Sequence, residues 1–320
     1  MKLCVLGGGS FGTTIANLLA EREDVLLWVH NPNLTSEINN NRTNRKYLPG
    51  ATISSRIRAT NNISDIKNSS FIVFAIPSVF AREYLSQAKP YLAQASIVNV
   101  VKGIEPESLK TMSQIILDEV AGARVFTLSG PNHAEEVARK IPTASVLASK
   151  QDSAEVCRIL ERPYFKIYPL EDIIGTEICG AVKNTTAIAT GVVAQLGLGD
   201  NATGAIVTLG LREMVKLCRH FGGKQETAYG LAGVGDLIAT CSSSKSRNRK
   251  VGMLIAKGKD LAEIKEEMNG MIAEGITTTK AVHEFAVKNK ISLPLTEQVY
   301  RVLYERKKLK KAIEDLKELI

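Results

Sequence analysis

Between Gly180 and Val193 only one side chain carries a formal charge, Lys183, and Asn184 follows it directly. An ammonium is costly to bury without a partner, so a lysine here reads as a site residue, the alternative being an accident of packing. At helical spacing its neighbours are small: Cys179, Gly180, Thr186 and Ala187 lie three and four positions away, which would let another element approach closely. Burial, with Lys102 or Arg247 nearby, would lower its pKa into the range of a group that gives and takes a proton near neutrality.

Two later stretches add polar groups. Gly230-Leu231-Ala232-Gly233-Val234-Gly235-Asp236 is a turn ending in a single carboxylate, and Asp236 either joins a site or caps the next helix. Ser242 to Arg249 has the composition of a linker but lies between apolar helices. Within it Ser246-Arg247-Asn248 offers a hydroxyl, a planar guanidinium and an amide consecutively at a helix start, a set suited to phosphate.

A third feature opens the chain. Leu3-Cys4-Val5-Leu6 runs into Gly7-Gly8-Gly9-Ser10-Phe11-Gly12 and then into an apolar helical pattern through Ala20. Gly7, Gly9 and Gly12 satisfy G-x-G-x-x-G between strand and helix: one glycine for the turn, one for backbone approach to a pyrophosphate, one for helix–strand packing. Val25 to Val29 reads as a second buried strand ending at His30-Asn31-Pro32, where an NAD-preferring fold usually places a carboxylate; the next one here is Glu37. With no anion to repel a 2′-phosphate, NADP(H) preference or dual use is expected. His30 is either a coenzyme contact or a plain loop residue.

Further strands follow at Phe71–Ile76, Ser96–Val101 and Val125–Leu128, then Ala144–Ala148 and Phe165–Tyr168. Lys102-Gly103 closes one of them, and a lysine at the carboxyl end of a parallel strand faces the ligand crevice of such sheets; an ordinary surface lysine is the alternative. Ser129-Gly130-Pro131-Asn132-His133-Ala134 closes another, with backbone N–H groups exposed at a helix start. His133 reads equally as a catalytic acid or a structural residue. The fold class expected is α/β, a doubly wound Rossmann-type sheet (1–175) followed by an all-α domain (176–320), the boundary falling within 169–180.

Composition narrows the setting. With 320 residues and 44% apolar content the chain can bury cores for two domains. The cysteines Cys4, Cys157, Cys179, Cys218 and Cys241 are odd in number and scattered, without a metal-site or redox pair, as in a reducing compartment. Neither a signal peptide nor a membrane span is read, so a cytoplasmic protein is expected. The net charge of +8 could serve nucleic acid, an acidic membrane surface or a small anionic substrate; the dense run Arg306-Lys307-Lys308 with Lys310-Lys311 is mixed with acids and reads as a solvated helix face.

Taken in order, these motifs resemble the bacterial-type NAD(P)-dependent glycerol-3-phosphate dehydrogenases almost end to end. Beside those above, the resemblance rests on Leu27-Trp28, Tyr47-Leu48-Pro49-Gly50, Ile76-Pro77-Ser78, Cys179 to Asn184, Gly197 to Ala202 and Ser246 to Arg249. It implies reversible reduction of dihydroxyacetone phosphate to sn-glycerol 3-phosphate for glycerophospholipid synthesis, using NADP(H) or NAD(H), no metal and no nucleic acid, in a homodimer. It implies Lys183 as acid/base, and substrate contacts from Lys102, Gly130, Asn132, Lys183, Asp236, Ser246, Arg247 and Asn248. Coenzyme contacts are implied for Ser10, Phe11, His30, Lys102, Ala134, Arg247, Ile272 and Glu274. The chain departs from the family pattern at Phe11, where Trp or Tyr is common, at Asn132 for Ser or Thr, at Leu209 for Arg and at Ala273 for Val. The rivals are a two-domain hydroxyacid or ketopantoate-type reductase, which would not need the Ser246-Arg247-Asn248 cluster, and a non-catalytic NADP-binding sensor or a basic nucleic-acid-binding protein, neither of which explains Lys183 beside Asn184.

Overall fold

In the computed structural model, which describes residues 2–92 and 95–318, eight strands form one sheet. They are β1 (Leu3–Leu6), β2 (Val25–Trp28), β3 (Ile57–Thr60), β4 (Phe71–Phe74), β5 (Ser96–Asn99), β6 (Arg124–Ser129), β7 (Thr143–Ala148) and β8 (Phe165–Leu170), in the order β3-β2-β1-β4-β5-β6-β7-β8. Along β1 the side chains alternate between two cores, as a strand's two-residue period requires. Leu3 and Val5 join Ile15, Leu18, Val156 and Leu160 on one face, while Cys4 and Leu6 join Leu85, Ile115 and Ile116 on the other. Helices α1 (Ser10–Leu19), α2 (Pro32–Ser36), α3 (Ala81–Ala88), α4 (Met112–Glu119), α5 (Ala134–Ala138) and α6 (Ala154–Leu160) accompany the strands. The sheet is thus covered on both faces, which is why its strands read as unbroken apolar runs.

Two details were not legible beforehand. β3 escaped notice because Arg58 interrupts a four-residue strand at the sheet's edge. β7 runs antiparallel to β6, with Ser129 opposite Val146, so the chain reverses over residues 130–142, which include α5 and begin at Gly130, whose φ of +131° suits glycine. The remaining neighbouring strand pairs are parallel.

The chain separates into two compact units, Met1–Val101 with Met112–Ile173, and Lys102–Thr111 with Ile174–Ile320. Lys102, reached from the end of β5, therefore belongs to the second unit. That unit contains α7 (Ile173–Gln195, apart from its first residue), α8 (Gly199–His220), α9 (Gln225–Tyr229), α10 (Asp236–Ser242), α11 (Arg247–Ala256), α12 (Leu261–Glu267), α13 (Glu274–Lys288), α14 (Pro294–Tyr304) and α15 (Leu309–Lys317). The small residues of α7 serve close helix packing: a Cβ on Gly252 of α11 would stand 1.8 Å from the Ile188 carbonyl oxygen. Leu209, where the family pattern has arginine, is buried in an apolar cluster with Ile188 and Val251. Arg306 to Lys308 do not lie on the terminal helix but form the connection before it, where Lys307 bonds Asp315. No helix among the described residues is long and apolar enough to cross a membrane.

Candidate active site

Lys183 sits mid-way along α7 with 5% of its surface exposed, yet it is not isolated. Its Nζ donates to Asp236 Oδ1 at 2.5 Å and to Thr240 Oγ1 at 2.6 Å, and Thr240 Oγ1 donates to the Asp236 carbonyl at 2.7 Å. The second oxygen of Asp236 accepts from Lys102 Nζ at 2.8 Å. One buried carboxylate thus bridges two ammonium groups. Burial presses the Lys183 pKa down, opposed by Asp236 and assisted by Lys102, and it stands at about 8. For Asp236 burial acts upward, but the charges and hydrogen bonds of Lys102 and Lys183 outweigh it and hold the carboxyl below its usual range. Asp236 opens α10 without capping it: the N-cap is Gly235, and both carboxylate oxygens serve lysines.

Asn184 braces the neighbouring residues. Its Nδ2 donates to the Lys102 carbonyl at 3.1 Å, and its Oδ1 accepts from Asn248 Nδ2 at 2.8 Å. Asn248 Oδ1 in turn accepts from Gly275 N at 3.0 Å, tying the start of α11 to that of α13. Ser246 caps α11 by accepting from Arg249 N, and Arg247 Nη1 donates to the Ile272 carbonyl at 2.9 Å. Asn184 thus joins Lys102 to Asn248, and the Asp236 carboxylate joins Lys102 to Lys183, while Arg247 meets Ile272 two residues before Glu274, the first residue of α13. Thr240 escaped the sequence reading: a threonine on a short helix carries no signal until its partner, 57 residues away, is known.

The first unit holds the other candidates. Gly7 has φ +115°, and a Cβ there would meet the Ala75 carbonyl oxygen at 2.7 Å; on Gly12 it would stand 2.0 Å from the Gly7 carbonyl oxygen. On Gly9 it would meet nothing within 4 Å. The chain's own packing therefore demands glycine at Gly7 and Gly12 but not at Gly9, where the open cradle fits a pyrophosphate. The helix beginning at Ser10 has no side-chain cap and no acid in its first turn, which suits an anion. Phe11 packs against the core beside this turn, and Thr14 Oγ1 donates to the Ala134 carbonyl at 3.2 Å, linking α1 to α5. The loop is held by Asn44, fully buried, whose Nδ2 donates to the Gly8 carbonyl and to Thr13 Oγ1. Its role was not read from sequence because its partners lie 36 and 31 positions away.

At the end of β2, His30 Nδ1 and the Tyr84 hydroxyl share a hydrogen bond of 2.9 Å. Glu37 is turned elsewhere, accepting from Thr43 Oγ1 and Arg45 N through Oε1. Beyond β6, Asn132 is buried and donates from Nδ2 to Ser145 Oγ at 3.0 Å. A Cβ on Gly130 would crowd Ser145 at 3.1 Å, so the glycine permits this close pairing with β7.

The family models for the N-terminal and C-terminal parts of NAD-dependent glycerol-3-phosphate dehydrogenase match residues 2–155 and 172–314. A glycerol-3-phosphate dehydrogenase [NAD(P)+] of Chlorobium phaeobacteroides is 44% identical over 99% of this chain and 97% of its own length. The crystal structure of glycerol-3-phosphate dehydrogenase from Coxiella burnetii superposes with a TM-score of 0.95 at 36% identity, covering 99% of this chain and 98% of that one. A ketopantoate reductase from Ralstonia eutropha, 14% identical with a TM-score of 0.65 over 94% and 97% of the two chains, shares the fold alone. Matched along both halves of its length, the chain belongs to the NAD-dependent glycerol-3-phosphate dehydrogenase family.

Proposed function

We propose that the protein catalyses the reversible NAD(P)H-dependent reduction of dihydroxyacetone phosphate to sn-glycerol 3-phosphate. The observation that carries this reading, within a chain of that family, is Lys183: a buried ammonium with pKa about 8, oriented by Asp236 and Thr240. Bound NAD(P)H supplies the hydride. Two of the three Lys183 N–H donors are taken up by Asp236 and Thr240. The third can protonate the alkoxide oxygen as hydride reaches the carbonyl carbon, and in oxidation the neutral amine takes that proton back. Lys102 and Arg247 offset phosphate charge, with Ser246, Asn248, Gly130 and Asn132 as further substrate contacts. Gly7, Gly9, Ser10, Phe11, Gly12, His30 and Ala134 hold the coenzyme, joined by Lys102, Arg247, Ile272 and Glu274. Adding dihydroxyacetone phosphate to enzyme and NADPH or NADH should consume the coenzyme; absence of turnover with both would overturn the assignment. A cytoplasmic homodimer supplying the glycerol phosphate backbone of phospholipids completes the proposal, and light scattering near twice the 34.8 kDa chain mass would support the dimer.

Two coenzyme predictions follow from the first unit. With Glu37 engaged at Thr43 and Arg45, and no carboxylate at His30-Asn31-Pro32, kcat/KM should favour NADPH or be comparable for the two coenzymes. A strong bias to NADH would count against this. Gly9→Ala should fold normally, its Cβ meeting nothing within 4 Å, but weaken coenzyme binding roughly tenfold or more. Gly12→Ala should instead lose about 1–3 kcal/mol of stability, because its Cβ meets backbone. Calorimetric melting and coenzyme titration of both variants separate the two effects.

A further inference from the structure

On α8, Arg212, Lys216, Arg219 and His220 fall at helical spacings of three and four, all exposed. The like charges of Arg212 and Lys216, and of Lys216 and Arg219, repel one another at those spacings. Several exposed basic residues elsewhere in this unit have acids one turn away, as in Lys259–Glu263, Lys280–Glu284, Arg301–Glu297 and Lys311–Asp315. Arg212 and Arg219 have no such partner among the described residues. The last turn of α8 gives Arg219 and His220 a favourable helix dipole, but Arg212 lies two turns earlier, beyond its reach.

These four side chains line a cavity of about 980 Å³, with Thr208, Tyr229 and Ser292 also on its walls. Lys216 Nζ is fixed against the Ser292 carbonyl at 2.7 Å. The one acid on the lining, Glu213, is buried, and its oxygens accept from Leu295 N, Thr296 N and Thr296 Oγ1. Burial also pushes its pKa up to about 7, which weakens its negative charge further. The cavity therefore presents cations with little to neutralise them. None of its lining residues belongs to the Lys183 cluster.

We propose that this cavity binds a small organic polyanion bearing phosphate groups, at a site distinct from the Lys183 cluster. Its volume is that of a small-molecule site and far exceeds a single inorganic phosphate. Arg212 and Arg219 are seven residues apart, roughly 10 Å along the helix, so the ligand carries charge at more than one point. Guanidinium groups match phosphate oxygens bidentately, and Tyr229, half exposed, offers an aromatic face to the remainder.

Magnesium-free tripolyphosphate is the probe, titrated calorimetrically at low salt into the full chain. The double variant Arg212→Gln/Arg219→Gln should bind it at least tenfold more weakly than the parent, with unchanged turnover in its absence. It should also melt no lower than the parent without the probe, since repulsion is removed. The single variant Arg219→Gln should fall between the two and guards against a folding defect. Equal affinity in parent and double variant, or a loss found only in Arg247→Gln, would overturn the proposal. So would burial of the Arg212–His220 face by a second copy in solution, read by hydrogen exchange.

Discussion

Lys183→Ala is expected to cut kcat for ketone reduction by about 10³-fold or more while leaving coenzyme affinity essentially unchanged. General acid catalysis alone contributes roughly 10²–10⁴-fold, and this side chain also occupies a fixed position between Asp236 and Thr240. The loss should lie in kcat rather than in folding, because Asp236 retains Lys102 as its counter-charge. The pH profile supplies the sharper test. Reduction needs the ammonium, so its rate should hold below and decline above about pH 8, whereas oxidation needs the free amine and should rise through the same range. In Lys183→Ala both limbs should vanish, and small primary amines should restore part of the rate. A variant that keeps the parental pH profile would remove Lys183 from the chemistry.

How much of this could be read beforehand depended on how far apart the interacting groups lie in the chain. The glycine turn was legible because its demands are local: Gly12 is glycine on account of the Gly7 carbonyl, five positions away. Lys183 was legible because a single charge in an uncharged helical stretch is anomalous in itself. Its setting was not. Asp236 could be named but not distinguished from a helix cap, and nothing indicated that one carboxylate would bridge Lys102 and Lys183, 134 and 53 positions away. The same limit hid the brace from Asn184 to Asn248 and the grip of Asn44 on the glycine loop. The strand that was missed, Ile57–Thr60, failed for a different reason: four residues interrupted by a charge leave no periodicity to detect. The excursion of residues 102–111 into the second unit has no local signature at all.

Asp236→Asn should be the most damaging single change for stability, costing about 3–5 kcal/mol at neutral pH. The amide preserves shape and can still accept from Lys183 or Lys102, but two ammonium groups would then share a largely buried site without a counter-charge. In the parent, Asp236 has its pKa held down by those ammoniums, so its contribution is complete above the usual carboxylate range and is lost as pH falls through the lowered folded value. In the variant the relevant group is Lys183, whose pKa, already depressed to about 8 with Asp236 present, falls further once the attraction is gone. A base with a depressed folded pKa binds fewer protons folded than unfolded, so stability rises with pH between the folded value and its ordinary value. The deficit of Asp236→Asn should therefore be larger at pH 6 than at pH 9, measured as the shift in unfolding midpoint against the parent at each pH. A loss of cavity-forming or steric origin would be the same at both. Activity should fall with it even where the fold survives, because a Lys183 whose pKa has fallen further is charged in fewer molecules and has lost the carboxylate that orients it.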